Sequence, residues 1–488
     1  MLHRLLSLGL SFGLFLHWVT LAADLPGAPE TRAPVAAISL PKLPEPIRAA
    51  LAQAQLPAEA LYLWIAPAAG GPERLAHQAE QLAHPASLMK LVTSASALEH
   101  LGRGFQWRTS VFFDEPPQRG RLPGSLYIQG GGDPKLVPER LWLLLRQIRQ
   151  LGIDEIGGDI VLDRNAYALP EIDAAAFDGE PLKPYNVRPD ALLINYKSIT
   201  LTFRPDAARG VATVSAEPPL TGWSATDRVR LSNAPCNDWR ADLQADFSSP
   251  QRWRLDGSYP AACGERTWSV AYNEPASYAG RAIEAQWRAL GGQLRGRVRE
   301  GRVPDGRTAA LVFTSPPLAE VLRDMNTFSN NPIAQQMMLA LSTQTPATLE
   351  SARAPVFDLL VPVGCSPGEL RLDNGSGLSR EERITPRCLG RWLQWAWRQP
   401  WMPDLFASLP MAGEGTARRV LSVAGRAHLK TGSLANVAAV AGVVHGPNGQ
   451  RQMVVAIINH PLASRDAARP VLDSVLAWVR DDIGVRPP

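Results

Sequence analysis

The stretch HPASLMKLVTSASALEHLG, residues 84–102, places a serine and a lysine three positions apart where an apolar-periodic segment begins. Its apolar residues recur at helical spacing, at Leu88, Leu91, Val92, Ala95 and Leu98. Gly102 is a typical helix stop, so the pattern predicts a helix that starts near Ser87. Because residues i and i+3 share one helix face, the side chains of Ser87 and Lys90 can touch.

Ser87 has the neighbours that a nucleophilic serine requires. A serine needs a base at neutral pH, and Lys90 can serve if burial and the positive end of the helix dipole lower its pKa. The free N–H groups at a helix start can also stabilise an oxyanion. The alternative is an ordinary first-turn serine beside a solvated lysine, and an S-x-x-K pattern alone does not decide between the two.

Two further short motifs follow in the chain. Ser329-Asn330-Asn331 precedes Pro332 and a helical pattern, so one interpretation is that Asn331 caps a helix with Pro332 at its first position. Lys430-Thr431-Gly432-Ser433 lies in a strand-like segment. Its functional interpretation is a carboxylate site on a strand edge, where glycine lets a substrate backbone approach, and its alternative is a solvated edge lysine.

The three motifs occur in the order S-x-x-K, S-x-N, K-T-G, which resembles the signature of serine β-lactamases and penicillin-binding proteins. Ser87 and Ser329 lie 242 positions apart, too far for one helical lobe. In this spacing the chain resembles the low-molecular-mass (class C) D-alanyl-D-alanine carboxypeptidase/endopeptidase family. Members of that family carry two extra domains between the first and second motifs. Further segments share the resemblance: QGGGDPKL at Gln129, GDIVLDRNAY at Gly158, DNGSGLSR at Asp373, LPMAGEGTARR at Leu409 and KTGSLANVAAVAGVV at Lys430.

Two positions depart from the usual pattern of that family. His84 stands where relatives often have Asn, and Asn330 gives SNN where SDN is common. Neither residue is the nucleophile or its base, so the resemblance holds.

The resemblance implies a mixed α/β (α+β) fold: a penicillin-binding, serine β-lactamase-like transpeptidase domain with an antiparallel sheet flanked by helices, interrupted by two nested inserted domains. We therefore predict the following division: signal peptide 1–23, flexible tether 24–45, catalytic domain 46–107 and 308–488, inserted domain II 108–198 and 254–307, and inserted β-rich domain III 199–253.

The resemblance also implies acyl transfer from the D-Ala-D-Ala end, or from a D-amino-acid cross-link, of peptidoglycan stem peptides. Ser87 would form the acyl-enzyme and Lys90 would take its proton. Ser329 and Asn331 would relay protons and position the substrate amide. The substrate-binding strand would be Lys430, Thr431, Gly432 and Ser433, with the amides of Ser87 and Ser433 as the oxyanion hole. β-Lactam antibiotics would acylate Ser87 and inhibit the protein.

Two other functions stay open at this point. A β-lactamase would need a dedicated base for rapid deacylation, which the sequence does not reveal, and a non-catalytic wall-binding scaffold would need no chemistry. The balance of carboxypeptidase and endopeptidase action is also open, as is the oligomeric state, for which a homodimer is one option. No histidine or cysteine spacing matches a metal site, so no metal or other cofactor is expected.

Composition and the first residues predict an exported protein. The 488 residues are 45% hydrophobic and 20% charged, which excludes a small disulfide or zinc module, a disordered chain and a polytopic membrane protein. A net charge of +4 gives no case for a nucleic-acid partner. His3 and Arg4 precede an apolar run from Leu5 to Val19 and a small-residue end, which predicts a cleaved signal peptide, no transmembrane segment afterwards and a periplasmic location.

Export allows the four cysteines to form disulfides. Their order suggests Cys236–Cys263 and Cys365–Cys388, although four cysteines allow three connectivities. Strands are predicted at Ala427–Ser433, Ala435–Val444 and Arg451–Asn459, the last two joined by a turn at Asn448-Gly449. Helices are predicted at Ile47–Ala54, Pro138–Leu151, Ala276–Leu290, Leu318–Asn326, Pro332–Leu341, Leu389–Arg398 and Pro470–Asp481.

Overall fold

The computed structural model describes residues 43–447, 449–463 and 465–482. The predicted signal peptide, the tether up to residue 42 and Asn448 of the predicted turn lie outside these residues. No helix in the described ranges is both long and apolar enough to cross a membrane.

The described chain alternates helices and strands. The helices are α1 (Glu45–Gln53), α2 (Met89–Leu101), α3 (Pro138–Gln150), α4 (Pro275–Ala289), α5 (Leu318–Phe328), α6 (Asn331–Leu339), α7 (Leu349–Asp358), α8 (Leu360–Val363), α9 (Pro386–Trp397), α10 (Met402–Ser408) and α11 (Arg465–Asp482). The strands are β1 (Leu61–Pro67), β2 (Leu75–His77), β3 (Arg108–Phe113), β4 (Arg121–Leu122), β5 (Leu126–Gly130), β6 (Glu155–Ile156), β7 (Ile160–Asp163), β8 (Ser198–Asp206), β9 (Val211–Glu217), β10 (Ser224–Ala225), β11 (Arg228–Ser232), β12 (Leu243–Asp246), β13 (Arg252–Pro260), β14 (Arg266–Ala271), β15 (Gln293–Leu294), β16 (Val298–Glu300), β17 (Leu311–Thr314), β18 (Leu370–Arg371), β19 (Arg383–Ile384), β20 (Ala427–Leu434), β21 (Val437–His445) and β22 (Arg451–Asn459).

A five-stranded antiparallel sheet of order β2-β1-β22-β21-β20 has a helical layer on each face. Side chains along β1 alternate between two cores, so that Leu63 packs with α1 and α11, whereas Trp64 packs with α2 and α9. Burial on both faces explains the nearly continuous apolar runs in β1, β21 and β22. Strand β20 lies at the edge of this sheet, and on its outer side Ala427 and Leu429 bond to the backbone of Ala412 and Pro410.

Two helices carry polar groups into the larger core beside this sheet. Residues Met89–Leu98 of α2 are all buried, and so is every residue of α6. In a helix that is buried all round, most polar side chains need a hydrogen-bond partner within the protein. Lys90 of α2 and Asn331 of α6 are therefore held by specific partners rather than by solvent.

Between α2 and α5 the chain forms three further sheets with a core of their own that includes α3 and α4. Their strand orders are β16-β7-β5-β3-β17, β15-β6-β4 and β10-β13-β11-β9-β8-β14, the last with β12 paired to β13. The seven-stranded sheet runs from β8 to β14, and hence past residue 253, where we placed the end of the β-rich unit. The domain boundaries themselves stay a prediction.

The expected helices and the three C-terminal strands are present, and strand β21 pairs with β22 as a hairpin. Helices α9 and α11 begin earlier than expected, at Pro386 and Arg465, and α11 continues through Pro470. Helices α7, α8 and α10 were not predicted. Pro355 lies inside α7, where proline normally argues against a helix, but a capping box at Thr348 fixes the start of this helix. Both suggested disulfides, Cys236–Cys263 and Cys365–Cys388, are formed.

Candidate active site

Ser87 lies in a single 3-10 turn, Ala86–Leu88, that leads directly into α2. The edge strand β20 passes close to this turn at Gly432. A Cβ atom added at Gly432 would lie 2.8 Å from the carbonyl oxygen of Pro85 and 3.2 Å from the backbone nitrogen of Ser87. Glycine is therefore needed at position 432 for the strand to approach the serine this closely.

Lys90 is completely buried one helical turn below Ser87. Its Nζ donates to Ser87 Oγ at 3.0 Å, to Asn331 Oδ1 at 2.6 Å and to the carbonyl oxygen of Ser376 at 2.5 Å. Burial, and then the charge of Lys430, hold the pKa of Lys90 well below its usual range, while Glu382 acts in the opposite direction. An amine with a lowered pKa in contact with a serine hydroxyl can accept the proton of that hydroxyl.

The three residues of the SNN motif have three different roles. Ser329 ends α5 in the left-handed conformation, with φ 56°, and its Oγ accepts a hydrogen bond from Lys430 Nζ at 2.9 Å. Asn330 caps α6 by accepting from the backbone N–H of Ile333 at 2.9 Å. The interpretation of Asn331 as the cap is wrong, because Asn331 is the first helical residue and its side chain contacts Lys90.

Lys430 is the second buried cation of the site. It extends from β20, and its Nζ donates to Ser329 Oγ and to the carbonyl oxygen of Thr431, each at 2.9 Å. Burial lowers the pKa of Lys430 to about 7. Both of these hydrogen-bond acceptors are neutral.

Ser87, Ser329, Thr431, Gly432 and Ser433 line one cleft, and Lys90, Asn331 and Lys430 lie buried beneath it. The structure thus brings together all eight site residues predicted from the sequence. Three arginines, Arg418, Arg419 and Arg469, line the same cleft. Asp473 also lines the cleft, and Arg419 and Arg469 pair with Asp466, so part of this positive charge is balanced within the protein.

Three contributors to the site were not predicted as such. The carbonyl oxygen of Ser376 accepts from Lys90, and the carbonyl oxygen of Tyr185 accepts from Asn331 Nδ2 at 3.2 Å. Glu382 is fully buried and accepts backbone N–H groups of the loop that contains Ser376. For Ser376 the available signal was the stretch DNGSGLSR, Asp373–Arg380, whose composition is typical of a tight turn, and the carbonyl of Ser376 in this turn contacts Lys90.

His84 joins the serine turn to that same loop. Its Nδ1 accepts from the backbone N–H of Ala86 at 3.0 Å, so the ring proton lies on Nε2, which donates to the carbonyl oxygen of Ser379 at 2.7 Å. Burial is the first cause that lowers the pKa of His84, which favours the neutral ring. The departure from the family pattern therefore supplies a local hydrogen-bonded brace. No group of three or more potential metal ligands occurs in the described part of the chain.

Comparison with known proteins shows the family of the chain. The model of the D-Ala-D-Ala carboxypeptidase 3 (S13) family matches residues 43–480. The chain is 30% identical to a D-alanyl-D-alanine carboxypeptidase of Actinomadura sp. (strain R39), over 92% of this chain and 87% of that protein.

Solved structures of penicillin binding protein 4 (dacB) from Haemophilus influenzae share the fold. One has a TM-score of 0.73 at 22% identity and covers 90% of this chain and 99% of its own. A second, complexed with a β-lactam, has a TM-score of 0.67 at 22% identity and covers 87% of this chain and 96% of its own. The family match spans both halves of the serine site and the inserted sheets between them. The chain belongs to the D-Ala-D-Ala carboxypeptidase 3 (S13) family.

Proposed function

We propose that this serine peptidase hydrolyses the D-Ala-D-Ala end, or a D-amino-acid cross-link, of peptidoglycan stem peptides through an acyl-enzyme on Ser87. The observation that carries the proposal is the 3.0 Å contact between Lys90 Nζ and Ser87 Oγ at a fully buried amine. A buried amine in this position is a base, whereas a solvated lysine of ordinary pKa would stay protonated at neutral pH.

The proposed acylation uses these groups in turn. Ser87 Oγ attacks the carbonyl carbon of the scissile D-Ala-D-Ala bond while its proton passes to Lys90. The backbone N–H groups of Ser87 and Ser433 stabilise the oxyanion. Collapse of the tetrahedral intermediate breaks the C–N bond, and the proton that Lys90 took from Ser87 passes to the leaving amine, for which Ser329 would be the relay that the sequence predicts. Water then hydrolyses the ester and releases Ser87.

The edge strand β20 is suited to hold the substrate. An extended peptide would pair with the edge beyond Leu429, where the bonds to Pro410 and Ala412 end, and Gly432 leaves room for its backbone. Lys430, Thr431 and Ser433 would bind the terminal carboxylate, while Asn331 would orient the scissile amide. β-Lactams carry the same carboxylate and a reactive amide, so they would acylate Ser87 as inhibitors.

The cellular setting is part of the same proposal. Two disulfides fit an oxidising compartment, which supports export to the periplasm. The inserted domains II and III, with the boundaries predicted above, stay a prediction. The homodimer considered from the sequence stays a prediction.

The test is the intact mass of the mature protein incubated with benzylpenicillin and followed for hours, beside Ser87→Ala. A stable adduct that maps to Ser87 and is absent from the variant supports the DD-peptidase. Rapid consumption of the antibiotic would instead indicate a β-lactamase, and no adduct with no consumption would favour the scaffold. Release of D-Ala from a stem pentapeptide, compared with cleavage of a cross-linked dimer, then separates carboxypeptidase from endopeptidase action.

A further inference from the structure

Glu382 is a fully buried carboxylate enclosed by the backbone of the loop 373–377. Its Oε1 accepts from the N–H groups of Gly375 at 2.7 Å and Asp373 at 3.3 Å, and its Oε2 accepts from the N–H of Gly377 at 2.8 Å. Alternate N–H groups of one loop thus converge on a single side chain. Convergent backbone N–H groups of this kind form an anion site, here filled by the chain's own carboxylate.

One peptide group of this loop connects Glu382 to Lys90. The N–H of Gly377 donates to Glu382, while the carbonyl of Ser376, at the other end of the same peptide bond, accepts from Lys90 Nζ at 2.5 Å. Hydrogen bonds in series polarise one another in a low-dielectric interior. A negative charge on Glu382 therefore makes the Ser376 carbonyl a stronger acceptor for a protonated Lys90.

The loop is fixed against the nucleophile. Gly377 has φ 84°, and a Cβ atom there would lie 1.9 Å from the carbonyl oxygen of Ala86 and 2.7 Å from the backbone nitrogen of Ser87. Thr93, one helical turn after Lys90 along α2, donates through Oγ1 to the carbonyl of Gly375 at 2.6 Å. The distance between the loop and α2 is thus set by contacts on both sides of Lys90.

Other charged and titratable groups near Lys90 and Glu382 shift the pKa values of these two residues. Lys430 lowers the pKa of Lys90, whereas Glu382 raises it. The pKa of Glu382 is raised to about 7: burial raises it most, the N–H of Gly375 lowers it, and Asp373, which pairs with Arg353 at 2.7 Å, raises it. His84 contacts the far end of the loop through Ser379. Glu382 is thus the buried carboxylate that favours the charged form of Lys90.

We infer that Glu382 is a positioning residue for acylation, which acts through the Ser376–Gly377 peptide group to set the proton affinity of Lys90. The inference rests on the proposed function, since it requires Lys90 to be the base for Ser87. The carboxylate touches no reacting atom. It holds the carbonyl that receives Lys90, and its charge favours the protonated amine that forms when Ser87 attacks.

The experiment is the pH dependence of the second-order rate constant for acylation by benzylpenicillin, measured by intact mass, for wild type, Glu382→Gln, Glu382→Asp and Glu381→Gln. Acylation requires neutral Lys90, so its rate rises with pH through the pKa of that group. Glu382 is charged toward and above its pKa of about 7. Removing that charge in Glu382→Gln lowers the pKa of Lys90 and should move the part of the acid limb that lies in this range to lower pH by about half a unit or more. Glu382→Asp, which keeps the charge but withdraws it by one methylene, should give a smaller shift in the same direction.

Glu381→Gln is the matched control, because it removes the same charge from an exposed neighbouring side chain and should leave the limb in place. Slower acylation by Glu382→Gln at every pH, with the limb unmoved, would mean a merely structural role and would overturn the inference. If thermal melting shows that Glu382→Gln does not fold, the test uses Glu382→Asp. An acid limb that stays at the wild-type pH in Glu382→Asp would then overturn the inference. Failure of the proposed function is distinct, because wild type itself would then show no adduct on Ser87.

Discussion

Two regions of the site each bury a lysine, and their surroundings differ. Lys90 in α2 contacts a hydroxyl, an amide oxygen and a backbone carbonyl, with the carboxylate of Glu382 one peptide group away. Lys430 in β20 contacts the hydroxyl of Ser329 and the carbonyl oxygen of Thr431. Burial lowers both pKa values, but only for Lys90 does a nearby carboxylate offset part of the effect.

The difference assigns different chemistry to two identical side chains. Lys90 has internal partners for either protonation state, so it can take up a proton and release it within one catalytic cycle. Lys430 has neutral partners, and a buried cation without a counter-charge gains most from an anion that arrives from outside. The substrate carboxylate is the anion that the proposed function would supply.

The largest effect expected from this comparison is that of Lys90→Met. Loss of the base should lower the acylation rate of Ser87 about 10³-fold, within the range usual for general-base groups. The loss should be equal for peptides ending in a carboxylate and in an amide, because the base acts on the serine. Single-turnover acylation of both peptides measures this, with circular dichroism as the folding control. A fall of less than tenfold would remove Lys90 from the role of base.

Lys430→Met should have a smaller effect that depends on the substrate. Loss of a charge-assisted hydrogen bond of about 2 kcal/mol corresponds to roughly 30-fold in kcat/KM for a peptide with a free C-terminal carboxylate. For the same peptide ending in an amide, the change should be under threefold or so, since no anion is present to be bound. Equal losses on the two peptides would show that Lys430 serves the chemical step rather than carboxylate binding.

The wild-type pH profile should separate the two lysines without mutation. Lys430 is a cation below its pKa of about 7 and neutral above it. The value of kcat/KM for the carboxylate peptide should therefore fall above that pH, by at most about tenfold per unit, whereas the amide peptide should lack this basic limb. The rise on the acid side, which reports deprotonation of Lys90, should be common to both peptides. A basic limb shared by both peptides would contradict the assignment of Lys430.

Much of this site could be predicted because its side chains lie in short motifs whose spacing reports geometry. Ser87 and Lys90 are one helical turn apart, and Lys430 and Gly432 share one face of a strand, so their local arrangement follows from helix and strand periodicity. The short apolar segments likewise predicted strands β20, β21 and β22, with each end within two residues of its observed position.

The unpredicted parts depend on the main chain or on tertiary contacts. Ser376 contributes a carbonyl, which any residue carries, so its identity gives no signal. Glu382 lies in the charged run Arg380–Arg383, which is typical of a solvated surface, and only the fold shows that its carboxylate is enclosed. Asn330 and Asn331 carry the same side chain, and a helix start that is uncertain by one residue cannot say which of them is the cap.

Asn330 and Asn331 give the smallest predicted effect and an internal control for the comparison of Lys90 with Lys430. Ser329 contacts Lys430 and Asn331 contacts Lys90, whereas Asn330 between them contacts the backbone of Ile333. Asn330→Ala should cost about 1 kcal/mol of stability, the usual cost of a lost helix cap, and lower the melting temperature by about 2 °C or less in a chain of this size. The acylation rate should change by less than about threefold, since the residue touches neither lysine. Thermal melting and acylation measured on one preparation check this, with Asn331→Ala as the paired variant that should lose activity. If Asn330→Ala slowed acylation as much as Asn331→Ala, the motif would act as a single rigid unit, and the separate roles of the two lysines would no longer follow from their contacts.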